Sequence, residues 1–277
     1  MPYEIIIVDN GSTDGSVEMI QSQSSKFETK NPAELGQNQN LKLKIISNKT
    51  NVGFGKANNE AIKQAESEYV LFLNSDIIVL DDAIEKLFNF YRLNEKTMHF
   101  LGGKLLNKDL TPQASCGPEY SLPMIFAHLF LRGDYWGLTR KSPDNLTEVD
   151  WISGACILTK KDYFNRITGF DENIFMYMDE IDLLYRAKRN GMRVFFYPEA
   201  QFIHFGSASS GSKTYPIQQV FKGLLYFYDK HRSKSAQLIL KSMLKLKAAI
   251  GLILGYIINN RYLKETYGKA FQMVTLA

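Results

Sequence analysis

Four stretches of the sequence gather side chains able to do polar chemistry. Asp9 ends the apolar run Glu4–Val8 and opens Asp9-Asn10-Gly11-Ser12-Thr13-Asp14. There a carboxylate can accept two hydrogen bonds from a ligand or form a turn and cap a helix, and Gly11 lets backbone approach closely. Gly53-Phe54-Gly55-Lys56 opens a helical pattern. Free N–H groups at a helix start suit phosphates, although a plain first turn reads the same and the Walker ending is absent. Asn74-Ser75-Asp76 follows the apolar run Tyr69–Leu73. Asp179-Glu180 starts a further helical pattern, where acids meet the helix dipole favourably, and Asp182 with Arg186 makes an i,i+4 pair. His204 stands alone in His204-Phe205-Gly206-Ser207, and Trp151 precedes Ser153-Gly154-Ala155. A lone histidine or tryptophan is as readily structural as functional.

The elements that must carry these residues alternate. Short β-branched or apolar runs at Glu4–Val8, Leu43–Ser47 and Tyr69–Leu73 predict buried strands. Between and after them, Gly53–Glu66 and Asp81–Leu93 show helical spacing, while Ser22–Asn40 reads as a loop. This predicts βαβ units and a largely parallel sheet, whose ligands sit at strand carboxyl ends; Asp9 and Asp76 fall there. Further on, a short helix near Pro123–Leu131, a strand Val149–Thr159 and a helix Lys161–Arg166 are expected. A helix Met178–Asn190 closed by Gly191 follows, then strands Arg193–Tyr197 and Gln201–Phe205, and helices Pro216–His231 and Ser235–Ile258. With 277 residues, 45% hydrophobic and 22% charged, the chain can build a sizeable core; disordered, collagen-like and polytopic membrane classes are excluded. Two cysteines, Cys116 and Cys156, exclude a disulfide scaffold, and no Cys/His pair has zinc-finger spacing.

In order and spacing, four segments resemble a family 2 glycosyltransferase of the GT-A fold, in its rhamnosyltransferase-like branch. They are Val8–Gly15, Asn51–Asn59, Leu73–Asp76 and Trp151–Ser209. The resemblance covers roughly residues 3–232. It implies an α/β fold and inverting transfer of a sugar from a nucleotide-diphosphate sugar to a hydroxyl of a glycan or lipid-linked acceptor, as in polysaccharide or cell-wall biosynthesis. It implies donor contacts at Asp9, Gly11, Gly53, Lys56, Asn58, Asn59 and Asn74, with Trp151 and Gly154 facing donor sugar or acceptor. Asp76 falls where the family holds Mg²⁺ or Mn²⁺, Asn74 replaces the motif's first acid, and His204 matches a further metal ligand. The base is Glu180 or Asp179, the acidic pair being reversed relative to the family's usual order. On this reading Asp76 and Glu180 face a common cleft. Relatives also carry a strand and helix ahead of the equivalent of Glu4–Val8, in mid-sheet. This chain is therefore expected to bind donor weakly unless the neighbouring strands close up. A nucleotidyltransferase on a related sheet and an inactive remnant are the rival readings.

Charge divides the chain. Residues 1–212, the expected transferase domain, carry 22 Lys/Arg against 27 Asp/Glu, and residues 213–277, a basic helical extension, carry 11 against 2. A basic surface suits an anionic partner. Lys234, Gln237, Lys241 and Lys245 share a helical stripe, opposed by Leu238, Ile239, Leu240, Met243, Leu244 and Leu246. Ala248–Ile258 is apolar but shorter than the ~20 residues a crossing needs. An interfacial helix on a membrane surface, or a helix packed on the domain or on a second subunit, fits; nucleic acid does not, because the lysines interleave with a continuous apolar face. Gly251 and Gly255 form a GxxxG. Ile5–Val8 is too short for a signal-peptide core, so the expected location is cytoplasmic, peripheral to the inner face of the cell membrane.

Overall fold

The computed structural model describes residues 3–29, 42–206 and 214–276. In chain order the elements are β1 (Glu4–Asp9), α1 (Ser16–Thr29), β2 (Lys42–Ser47), α2 (Phe54–Gln64), β3 (Tyr69–Leu73), β4 (Ile77–Val79) and α3 (Ala83–Asn94). Then follow β5 (Phe100–Leu106), β6 (Pro112–Gln113), β7 (Cys116–Gly117), α4 (Leu122–Phe130), β8 (Thr147–Val149), β9 (Trp151–Ile152) and β10 (Cys156–Lys160). The last are α5 (Lys161–Arg166), α6 (Asp179–Arg189), β11 (Val194–His204), α7 (Thr214–His231), α8 (Lys234–Ile257) and α9 (Arg261–Leu276).

The α/β class holds, but the sheet is mixed rather than mostly parallel. A seven-stranded sheet runs β3-β10-β5-β11-β4, with β6 on β5 and β8 on β11. Within it only β5 and β11 pair in parallel; β10 returns antiparallel to both β3 and β5. β1 and β2 form a separate parallel pair. The expected buried strand Glu4–Val8 is therefore corrected: Ile5 is exposed and Ile6, Ile7 and Val8 are half-buried, because β1 joins no ladder with β3. Their link is polar: Glu4 Oε1 accepts from the amides of Glu66 (2.7 Å) and Ser67 (3.0 Å), just before β3.

Other expectations are adjusted. Ser22–Thr29 continues α1 instead of looping, while residues 30–41 lie outside the described part. Val149–Thr159 is β8, β9 and β10 in succession, broken at Asp150 and at the Gly154 turn. The strands at Arg193–Tyr197 and Gln201–Phe205 are one strand, β11, with a bulge between Tyr197 and Gln201. Ser207–Ser209 lie outside the described residues. β5, at the heart of the sheet and buried along its length, and helix α9 were not foreseen.

Glycines let β5 sit there. A Cβ on Gly102 would stand 2.9 Å from Ile152 Cβ, and one on Gly103 would meet the Phe202 ring and lie 2.9 Å from the Ala200 carbonyl. One continuous core includes Phe100, Ile157 and Phe196 of the sheet, Leu183 of α6 and Phe227, Leu240, Leu244 and Val274 of the C-terminal helices. Helices α7–α9 thus share the core of the sheet.

Gly103→Ala should cost about 1–3 kcal/mol from overpacking, read as a lower urea midpoint at unchanged slope. A two-stranded sheet is marginal by itself, so amides of β1 and β2 should exchange with deuterium well before those of β5, β10 and β11.

Candidate active site

The site is built from strand ends. β4 pairs antiparallel with β11, setting His204 opposite Ile77, and the Phe205 amide donates to the Asp76 carbonyl at 3.0 Å. Residues far apart in sequence thereby converge: His204 Nε2 lies 3.4 Å from Asp76 Oδ1 and 3.4 Å from Asn74 Nδ2. The other ring nitrogen faces Gln113 Oε1 at 2.7 Å. Gln113 Nε2 donates to Asn107 Oδ1 (3.1 Å) and to the His204 carbonyl (3.3 Å). Its oxygen must then accept from His204 Nδ1, which turns the Nε2 edge of the ring toward Asp76. This is how outer partners orient a metal-binding imidazole. β6 pairs with β5, Gln113 opposite Leu105, and so delivers Gln113. Sequence reasoning missed it; a single glutamine between loops carries no signal.

The acidic pair sits nearby. Asn74 N donates to the Ala155 carbonyl at 3.1 Å, and the neighbouring Gly154 lies where a Cβ would be 3.5 Å from the Phe54 ring and 3.7 Å from Glu180 Cβ. The turn before β10 therefore touches both the Asn74 strand end and the start of α6. Two residues with left-handed backbone, Tyr177 (φ 62°) and Met178 (φ 72°), aim that start. Each such conformation costs on the order of 1–3 kcal/mol. Met178 is buried against Gly223 of α7, where a Cβ would come within 2.8 Å of its Cγ. Asp179 is buried and Glu180 half-buried. Burial, then the charge and hydrogen bond of Glu180, raise the Asp179 carboxyl well above its ordinary range.

One turn on, Asp182 is fully buried and accepts from Arg186 Nε (2.7 Å) and Lys230 Nζ (2.9 Å), with His231 Nε2 at 2.6 Å. Burial alone would raise its pKa; His231, Arg186 and Lys230 outweigh it and hold it low. Arg186 also donates to the carbonyls of Ile167 and, at 2.6 Å, Gly169. Asn59 of α2 binds the same loop, donating to the Phe170 carbonyl at 2.9 Å and accepting its amide at 3.0 Å. α2, α6 and α7 are thereby tied through one loop.

Several expected contacts turn out structural. Asp9 is buried, and its carboxylate accepts from the amides of Gly11 (3.1 Å) and Ser12 (3.2 Å), the turn-forming alternative. Gly11 itself, at φ 81°, presses on Thr50 backbone. Asn58 donates to the Phe54 carbonyl at 2.9 Å within α2, and Asn59 is spent on Phe170 and Glu172. Gly53 is left-handed at φ 91°, its missing Cβ leaving room for the Phe175 carbonyl; Lys56 is half-buried on α2. Trp151 is a correction. It is 2% exposed, its Nε1 donates to the Pro118 carbonyl at 3.0 Å and Gly117 makes room for its ring, so no face remains to stack on a sugar. A hollow floored by Trp151, Ile181 and Tyr185 lies on another stripe of α6; Glu180 does not line it, and its Lys188 is paired with Asp150.

A mixed α/β sheet with a carboxylate, an amide and an imidazole at its strand ends, beside a buried acidic pair, defines the GT-A class of nucleotide-sugar transferase folds. The comparisons agree. The family model of glycosyl transferase family 2 matches residues 1–125. The rhamnosyltransferase WbbL of Escherichia coli (strain K12) is 31% identical over 166 residues, 55% of this chain and 61% of that protein. The N-acetylglucosaminyl-diphospho-decaprenol L-rhamnosyltransferase of Mycobacterium tuberculosis (strain CDC 1551 / Oshkosh) is 26% identical over 219 residues, 76% of this chain and 69% of that protein. The chain spans 61% of the length of the first of these relatives and 69% of the second. In fold it is similar to GalNAc-T7, crystallised with UDP, GalNAc and Mn²⁺: TM-score 0.53 at 13% identity, over 81% of this chain and 43% of that one.

The raised Asp179 carboxyl sets the sign of a pH effect. Its stabilising balance is full below the unfolded value of about 4 and is lost as pH rises toward the folded value. Asp179→Asn should therefore remove part of the parent's loss of stability above about pH 4, leaving the variant at least as stable at neutral pH by thermal melting.

Proposed function

We propose that the protein transfers a sugar from a nucleotide-diphosphate sugar to a hydroxyl of a glycan or lipid-linked acceptor, with inversion. The observation that carries this reading is the convergence of Asn74, Asp76 and His204, the imidazole oriented by Gln113. One carboxylate and one imidazole turned toward it fit a divalent ion that takes its remaining ligands from phosphates and water. Among the described residues no group of three or more His, Cys, Asp or Glu gathers to hold a metal by protein alone. Mn²⁺ or Mg²⁺ bound there supplies positive charge beside a departing diphosphate. Mn²⁺ suits the imidazole better.

Glu180 is the general base in this reading. Neutral Asp179 donates to it from the buried side, fixing the carboxylate while the half-buried Glu180 faces Gly154 and Phe54. The acceptor oxygen attacks the anomeric carbon as its proton passes to Glu180, and the carbon–oxygen bond to the diphosphate breaks with its electron pair leaving on the phosphate. Asp9, Gly11 and Gly53 shape the backbone of the donor side, and Asn59 and Asp182 position α2 and α6.

The test is release of nucleoside diphosphate from a panel of nucleotide sugars, with and without Mn²⁺, in the presence of lipid-linked acceptor. Metal-dependent release is expected, abolished by Asp76→Ala and reduced on the order of 10²–10⁴-fold by Glu180→Gln with the melting temperature unchanged. Release that ignores both metal and Asp76 would sink the assignment. No release from any donor would favour the inactive remnant.

A further inference from the structure

The outer side of α8 is apolar, and its residues are exposed among the described residues. Leu240, Leu244, Ala248, Gly251 and Gly255 face the core. The two glycines admit Tyr267 and Leu263 of α9, so the GxxxG is an intrachain contact. On the opposite stripe Ile239, Leu246, Ile250, Ile253 and Ile257 are all exposed, spaced by seven, four, three and four residues. The expectation that Leu238–Leu246 forms a single apolar face is thus corrected: α8 has one face inside and a second facing out.

That outer stripe continues onto another element. Lys247 Nζ donates to the Leu129 carbonyl at the end of α4 (2.6 Å), with its ammonium 5.9 Å from the Phe130 ring. α4 exposes Phe126, and beyond it the chain turns through 131–138 and exposes Leu131 and Leu138. At the turn's tip stand Tyr135 and Trp136, 76% and 67% exposed, their rings packed edge-on at 5.0 Å. The turn is held firmly. Gly133 N donates to the Ala127 carbonyl and Leu138 N to the Gly133 carbonyl, both at 2.9 Å, while Asp134 takes His128 Nδ1 at 3.1 Å and the Thr139 hydroxyl. A rigid turn that displays a Tyr–Trp pair to water has no use within the fold.

We infer that this composite face, the outer stripe of α8 with the Tyr135–Trp136 turn, seats the protein on the surface of an anionic lipid bilayer. Aromatic side chains with an apolar body and a polar edge are the residues that settle at a membrane–water boundary. A large exposed apolar face marks an interaction site, and charge selects its occupant. From Lys234 to Leu276 there are seven Lys/Arg against the single acid Glu265, which anionic headgroups attract. A second copy would bring two net-positive faces together, an unfavourable match. No described helix is long and apolar enough to cross a membrane, so the contact lies at the surface.

Trp136 reports on this directly. The chain has two tryptophans, and the other, Trp151, is buried. Parent protein mixed with phosphatidylglycerol/phosphatidylcholine vesicles should sediment with them. Its emission should shift to the blue and be quenched by brominated lipid. Phosphatidylcholine alone should bind more weakly, and added salt should weaken the anionic case. The pair Tyr135→Ser/Trp136→Ser and the pair Ile253→Glu/Ile257→Glu should each lower partitioning on the order of tenfold at unchanged melting temperature. Absence of both sedimentation and quenching in the parent overturns the inference, and so does full binding by both double variants. A parent that ignores vesicles but forms a dimer, lost in Ile253→Glu/Ile257→Glu, assigns the face to a second copy instead. No donor or metal is present, so the outcome is independent of the transferase reading, and the parent measurement requires no variant to fold.

Discussion

The antiparallel pairing of Ile77–Val79 with Phe202–His204 is the contact on which the candidate site rests. β4 has only three residues, yet its ladder fixes where Asp76 and His204 stand relative to each other. β11 can serve this purpose because β5 holds it in parallel on its other side, buried on both faces, the usual condition for parallel strands. β5 in turn carries β6, and β6 carries Gln113. The orientation of a single imidazole ring therefore depends on three consecutive strand pairings, each specified by packing far from the polar groups themselves.

Burying Asp182 beside Asp171, Arg186, Lys230 and His231 is expensive in isolation, since each ion loses its water. The cost is offset only with every partner in place. Lys230 bridges Asp171 (2.6 Å) and Asp182 (2.9 Å), and Tyr226 donates to Asp171 at 2.8 Å. Burial would raise the Asp171 pKa, but Lys230, Asn173 and Tyr226 together drive it far down. Such a cluster tolerates one geometry. It therefore fixes the rotation of α6, and with it the side chains one turn earlier, Asp179 and Glu180. The left-handed pair Tyr177–Met178 stores strain at the same place, supported by Met178 packing on α7.

Much of this was legible in the residues and some was not. Strands β2 and β3 and helices α2, α3, α5 and α6 follow from periodicity and turn chemistry, which are local. β5 escaped because Gly102 and Gly103 weaken its strand signal. Their purpose, room for Ile152 and Phe202, exists only in three dimensions. The burial of β1 was overestimated because an apolar β-branched run reports preference, while exposure depends on which neighbours pair with it. Trp151 could be core or platform by type; the space beside Gly117 made it core. At Asp9, Asn58 and Asn59 the residue types suited a ligand equally well, but their hydrogen-bonding capacity is already taken up by the chain's own backbone. The candidates that keep free capacity, Asp76, His204 and Glu180, are those on side chains that neighbouring groups orient without consuming them.

The C-terminal helices show why composition alone could not choose between packing and display. α8 carries apolar residues on two sides, with Lys234, Lys241 and Lys245 on a stripe between them, and an apolar helix face is normally enclosed. Here the inner side meets α4, α7 and α9 and completes the core through Leu240, Leu244 and Ala248. The outer side keeps five branched or long aliphatic side chains in water. Leaving each exposed rather than buried forgoes roughly 1.5–3 kcal/mol, a sum comparable with the net stability of a whole domain. Polar residues at those five positions would serve the fold equally well, because none of the five touches the core. The cost is therefore not imposed by folding and must be offset by something the outer side meets.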